Sequence, residues 1–287
     1  MRMGKEQSLT KSIRKNNKRK ISPKTKEKRK LNITVYFLLR GFVIFSMIVQ
    51  GLNGNWNNVA LCVLTLILFT LPTIISKSFH ITFPEPLEII VYLFIFSAAI
   101  LGEIQNFYGL FEHWDTILHT LNGFLCAAIG FSLVDLLNNN DDVQIHMSPA
   151  FAALVAFSFS MTVGVMWEFA EFSVDHYLEK DMQKDRIVDH FQSVKINPEE
   201  ENVPIIVENI DRTEIYADHG ETIIEIEGGY LDIGLNDTMK DLIVNFLGAF
   251  IFSIIGYLYV KNREGFKFIE FFFPRRTETP KKEQTVG

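Results

Sequence analysis

Cysteine is scarce in this chain of 287 residues: the two present, Cys62 and Cys126, both sit in apolar runs. A disulfide scaffold is thereby excluded, and the two thiols read as packing residues. Also missing are G-x-S-x-G, C-x-x-C, H-E-x-x-H, a Walker loop and the D-x-[DN]-x-[DN]-G loop, so the chemistries tied to those motifs find no anchor here. Charge is absent from long stretches. The residues are 48% hydrophobic and 13% aromatic, with 26 Phe and a mean hydropathy of +0.14. Such totals would suit one large or two small soluble domains, but the clustering of the apolar residues argues for a membrane protein.

A bilayer core about 30 Å thick needs about 20 mostly apolar helical residues. Six runs meet that need, at roughly 33–51, 57–76, 86–105, 115–137, 149–174 and 238–260. Pro84 and Pro86 open the third and Ser148–Pro149 opens the fifth, as suits helix starts. The expected fold class is therefore an all-α polytopic bundle of about six transmembrane helices.

Charge is segregated. Residues 1–31 hold 13 of the 28 Lys and Arg, whereas Asp175–Asp237 carries 17 acids against 5 bases. Because cationic loops resist translocation, the basic tail at 1–31 and the basic segment at 261–287 are expected in the cytoplasm. The loops at 52–56 and 106–114 contain no Lys or Arg and fall outside, while Lys77 lies in an inner loop. The inner loop at 138–148 departs from the pattern, with Asp141 and Asp142 and no base. The N-terminal tail is too long and polar for a cleaved signal, so the first run is expected to remain as an anchor. Arg40, seven residues into that run, is expected to snorkel back to the headgroups. The tail has no aromatic residue to stack bases and abuts a membrane helix. Anionic lipid, not nucleic acid, is its expected partner, with the segment disordered.

The sizeable polar connection, 176–236, falls outside in this topology. Alternation in VPIIVENI, RTEIYA and ETIIEIEGG, bounded by Pro204, Gly220 and Gly228–Gly229, predicts three or four short strands. A small extracytoplasmic β-rich insert between helices five and six follows, with its many acids forming a solvated surface.

Ionisable residues within a bilayer are costly, so their placement is informative. In the fourth run Asp115, His119, Asn122 and Cys126 recur at spacings of four, three and four, which puts them on one helical stripe. Gly164, Glu168, Glu171 and Asp175 share a stripe of the fifth, and Asp237, Asp241, Asn245 and Gly248 one of the sixth. The topology sets all three stripes, with Glu103 at the end of the third run, at the outer leaflet. Gly123, Gly164, Gly248 and Ala249 would let the helices approach closely.

So many carboxylates cannot all ionise in a poorly hydrated site unless something positive offsets them, and His119 and Lys240 are the nearby helix-borne bases. A divalent metal would resolve the repulsion, held by Asp115, His119, Glu168, Glu171, Asp237 and Asp241. Asn122, Asp175, Asn245 and Glu103 would support it. Glu168 and Asp241, the deepest acids, are the candidate catalytic residues. Blander roles compete: Asp115 and Asp237 stand at helix starts, where a carboxylate caps free N–H groups. Glu171 and Asp175 stand near the interface, where water can reach them, His119 can serve as a structural partner, and Trp114 and Trp167 suit an interfacial belt. The leading function is metal-dependent hydrolysis or transfer on a lipid-linked or envelope substrate. An ion- or proton-coupled transporter is the alternative, although Asp135 alone would extend a polar path inward. A non-catalytic envelope scaffold is the third reading.

The blocks WDTILHTLNG, MWEFAEFSVD and DTMKDLIVNFLGA together resemble the YjdF-like family of bacterial inner-membrane proteins, over roughly helices three to six. The last block is also similar, more distantly, to the VanZ-like family. The resemblance implies a multi-pass protein of the bacterial cytoplasmic membrane and brings no established activity or catalytic residue. The insert at 176–236 and the long basic tail are departures from a minimal member.

Overall fold

The computed structural model describes residues 23–79, 81–138, 147–199, 201–273 and 275–276. Residues 1–22 of the basic tail at 1–31, and Asp141 and Asp142, lie outside them, whereas residues 23–31, expected to be disordered, are helical. Eight α-helices are seen among these residues: α1 (Pro23–Leu52), α2 (Trp56–Leu68), α3 (Leu71–Phe79), α4 (Glu85–Phe96), α5 (Phe107–Leu110), α6 (Trp114–Asn138), α7 (Pro149–Leu178) and α8 (Leu235–Lys261). Six stretches are long and apolar enough to cross a membrane: Leu31–Leu52, Trp56–Ser78, Glu85–Ile104, Trp114–Asp135, Pro149–Leu178 and Leu235–Lys261. They coincide with the six sequence runs.

The second run is broken rather than continuous. Pro72 has no N–H for the carbonyl four residues back and its ring crowds that turn, so the helix stops at Phe69–Thr70 and restarts as α3. The third run ends in wide π-helical turns over Ser97–Ile104, where Glu103 lies exposed. Ser148 caps α7 by accepting from the Phe151 N–H at 3.3 Å, with Pro149 in the first turn.

The chain divides into two compact units, Met1–Phe107 with Glu270–Gly287, and Tyr108–Ile269. In the first, Leu39, Val43, Cys62, Phe69, Tyr92 and Ile100 form the core. Tyr92 packs tilted against Tyr36 (5.1 Å between centroids) and edge-on to Phe69 (5.7 Å) and donates to Glu88 at 2.9 Å. Arg40 turns back one helical turn and donates to Tyr36 Oη at 2.5 Å, the direction expected of a snorkelling side chain. Strand β1 (Ile81–Thr82) pairs antiparallel with β8 (Arg275–Arg276).

The second unit is a three-helix core of α6, α7 and α8 with a β-rich insert between α7 and α8. Six strands form three separate antiparallel ribbons: β2 (Arg186–Val188) with β7 (Tyr230–Asp232), β3 (Phe191–Ser193) with β4 (Ile205–Val207), and β5 (Arg212–Ala217) with β6 (Thr222–Glu227). β4 and the hairpin β5–β6 fall in the three alternations visible in the sequence. β2, β3 and β7 are three residues long, too short for an alternating pattern to register.

Glycines bring the three helices together. A Cβ on Gly123 would overlap the Asn245 carbonyl, and one on Gly248 the Thr120 carbonyl. Gly164 makes room for the Asn245 side chain, whose Nδ2 would lie 2.6 Å from an added Cβ. Asn122 donates to Asn245 Oδ1 at 3.2 Å, Asn245 leans on Met161 Sδ at 3.7 Å, and Ser160 donates to the Gly123 carbonyl at 2.8 Å. Below this belt Phe252 packs edge-on to Phe124 (4.9 Å) and near Phe131 (6.4 Å), and both Phe131 and Phe252 are fully buried. Farther along, Asp135 meets Arg263 at 3.3 Å.

Candidate functional site

The site lies on the insert side of the Asn122–Asn245 contact. Because residues three and four apart share a helical face, α6 turns Asp115 and His119 toward the stripe of α8 that carries Asp241, while α7 contributes Glu168. His119 Nε2 is 3.4 Å from Asp115 Oδ1 and 3.9 Å from Asp241 Oδ2, and its Nδ1 is 3.8 Å from Glu168 Oε1. Side-chain exposure falls from 19% at Asp115 and 12% at His119 to 5% at Glu168 and 2% at Asp241. Three helices thus contribute to one enclosed group.

Asp115, His119 and Asp241 each offer a ligand atom, and these atoms lie within 4.8 Å of one another. Ligands about 2.1 Å from a common metal ion stand about 3–3.5 Å apart, so the group would have to draw in to hold one. Two buried oxygens, Glu168 Oε2 and Asp241 Oδ1, have no hydrogen-bond partner among the described residues. Leaving a buried acceptor unmet is costly, and for a charged group more so. A cation held by Asp115, His119 and Asp241 would engage the Asp241 oxygen. Three carboxylates around one imidazole otherwise have to share protons or repel.

Other stripe residues are engaged elsewhere. Glu171 accepts from Trp167 Nε1 at 2.8 Å, so that Trp, although half-exposed, also has a polar task. Asp175 accepts from the backbone N–H of Met182 at 2.6 Å and of Gln183 at 2.7 Å, fixing the chain as it leaves α7 through left-handed Glu179. Asp237 accepts from the Lys184 N–H at 3.0 Å and from Arg186 Nη2 at 2.6 Å. Gln183 reaches Thr238 Oγ1 at 2.5 Å. The strap at 182–186 is therefore pinned to both α7 and α8 beside the acidic group. Around it, burial and then Asp181, Asp175 and Asp232 hold the Asp185 carboxyl above its ordinary value. Asn122, Asn245 and Cys126, whose Sγ lies 3.5 Å from Asn122 Oδ1, form the layer beneath the group. Glu103 lies in the first unit, on an exposed helical face. The strap residues Gln183, Lys184 and Arg186 carry no periodicity or motif in the sequence that could have marked them.

Because Asp175 closes the strap with two backbone bonds, Asp175→Ala should cost about 1–2 kcal/mol. Limited proteolysis should then cut sooner within 179–186, while the three-helix core keeps its protection. Unchanged cleavage would show that the strap is held by its α8 contacts alone.

The architecture defines a polytopic helical membrane protein with a histidine–carboxylate group at one end of a three-helix core. The chain belongs to the family described as Predicted membrane protein (DUF2238), which matches residues 31–262. It is also 29% identical, over 107 residues, to a Thermotoga maritima protein described as uncharacterized, a match covering 37% of this chain and 53% of that relative. The chain thus spans about half the length of the curated relative it matches. No solved structure matches the chain.

Proposed function

We propose that this is a multi-pass protein of the bacterial cytoplasmic membrane, both termini inside, that holds a divalent cation at the outer-leaflet end of its second unit. The observation that carries the reading is the convergence of Asp115, His119 and Asp241 from two helices, with an orphaned buried oxygen on Asp241 and another on neighbouring Glu168. The Lys and Arg bias of the tails supports the orientation, and the basic residues at 1–31 suit anionic lipid of the inner leaflet. The likeness to YjdF-like proteins agrees with the family membership; the VanZ-like likeness gains no support from the matches. Oxygen ligands with one imidazole suit Mg²⁺, Mn²⁺, Fe²⁺ or Zn²⁺. Such an ion would polarise a phosphoryl or carbonyl group and activate water, which fits hydrolysis or transfer on a lipid-linked or envelope substrate. Glu168 and Asp241 are the enclosed carboxylates able to take part. Transport is disfavoured because the Phe124–Phe252–Phe131 layer lies between the acidic group and Asp135.

The test is thermal unfolding of the purified full-length protein with added Mn²⁺ or Zn²⁺. At a hundredfold excess over Kd a ligand stabilises by about 2.7 kcal/mol, so the midpoint should rise clearly. Asp241→Asn should abolish that rise. Metal-free, this variant should be about as stable as the parent, since the amide keeps the shape of the side chain and brings no charge into the acidic group. An equal rise in both proteins would reject the site. Loss of cellular function on deleting 176–236, but not with Asp241→Asn, would favour the scaffold.

A further inference from the structure

The His119 ring separates the three carboxylates into two sets. Nε2 faces Asp115 and Asp241, at 3.4 and 3.9 Å, whereas Nδ1 faces Glu168, at 3.8 Å and from a different helix. A neutral imidazole has one lone pair for a metal, and its other nitrogen carries the proton. Two carboxylates accompany only the Nε2 side, and the set whose ligand atoms lie within 4.8 Å of one another leaves Glu168 out. Metal-bound histidines commonly donate their second N–H to a carboxylate, which fixes both tautomer and ring orientation.

We propose that Glu168 is a positioning residue and not a ligand: when a cation binds, the 3.8 Å gap to His119 Nδ1 closes to a hydrogen bond that Glu168 accepts, which presents the Nε2 lone pair to the cation held with Asp115 and Asp241. The inference rests on the metal-site reading above.

The probe is Co²⁺, titrated into the detergent-purified full-length protein and followed by its visible absorption bands. Glu168→Ala should bind one Co²⁺ per chain 10–100-fold more weakly, the usual cost of losing such a partner, with shifted bands. Glu168→Gln should recover most of the affinity, because its amide oxygen accepts the same N–H. His119→Gln and Asp241→Asn should bind no Co²⁺ tightly. If Glu168→Gln fails as completely as Asp241→Asn, Glu168 is a ligand and the inference is overturned. If Glu168→Ala matches the parent in affinity and spectrum, Glu168 has no role and the inference is again overturned. No Co²⁺ binding by the parent would instead overturn the metal-site reading itself. Glu168→Gln preserves side-chain shape, so the comparison survives if Glu168→Ala does not fold.

Discussion

Gly248→Val is expected to leave no folded second unit, and Gly248→Ala to lower the thermal midpoint sharply. A Cβ at this position would overlap the Thr120 carbonyl oxygen and lie 2.9 Å from the Phe124 N. Both atoms belong to the backbone of α6, so no rotamer change relieves the clash and the two helices must separate. Overpacking of this kind costs about 1–3 kcal/mol where side chains can yield, and more is expected where they cannot. Separation would also part Asn122 from Asn245 and draw Asp241 away from His119, so metal binding should fail together with folding. Gly41→Ala is the control. Nothing lies within 4 Å of its added Cβ, and the gain in helix propensity should leave the midpoint unchanged or slightly raised. Equal midpoints for Gly248→Ala and the parent would mean that α6 and α8 pack farther apart than the structure shows.

Phe252→Ala should have the next largest effect. The ring is fully buried against Phe124 and Phe131, and removing such a side chain costs about 3–5 kcal/mol through lost contacts and the cavity left behind. The metal response should survive in the fraction that folds. Phe252 lies beyond Asn245 along α8, about two turns farther from Asp241 than Asn245 is. A thermal loss with unchanged metal affinity separates packing from binding. Loss of affinity in step with stability would instead tie the aromatic layer to the site.

The two variants probe features of unequal legibility. The glycines and the polar stripes could be read in advance, because a helix repeats every 3.6 residues and a bilayer penalises stray polarity, so Asp115, His119, Glu168 and Asp241 were marked by spacing alone. The neighbours that claim the rest of those stripes could not. Asp237 stands one turn from Asp241 and Asp175 one turn from Glu171, equivalent by pattern. Yet Asp237 is taken by Lys184 and Arg186, and Asp175 by the Met182 and Gln183 amides. Those partners come from an irregular strap, where no period of 2 or 3.6 exists to be detected.

What the sequence by itself determined is the set of six apolar spans, the acidic insert between the last two, and one polar face on each of three helices. These follow from chain-local physics: the thickness of the bilayer and the periodicity of a helix. Only the tertiary structure decided which acids share a ring nitrogen of His119, which are spent holding the insert, and that an aromatic layer closes the core beneath them. Those outcomes depend on contacts between residues far apart in the chain, 123 positions in the case of Asn122 and Asn245, and no local pattern encodes which of several equivalent carboxylates such a contact will reach.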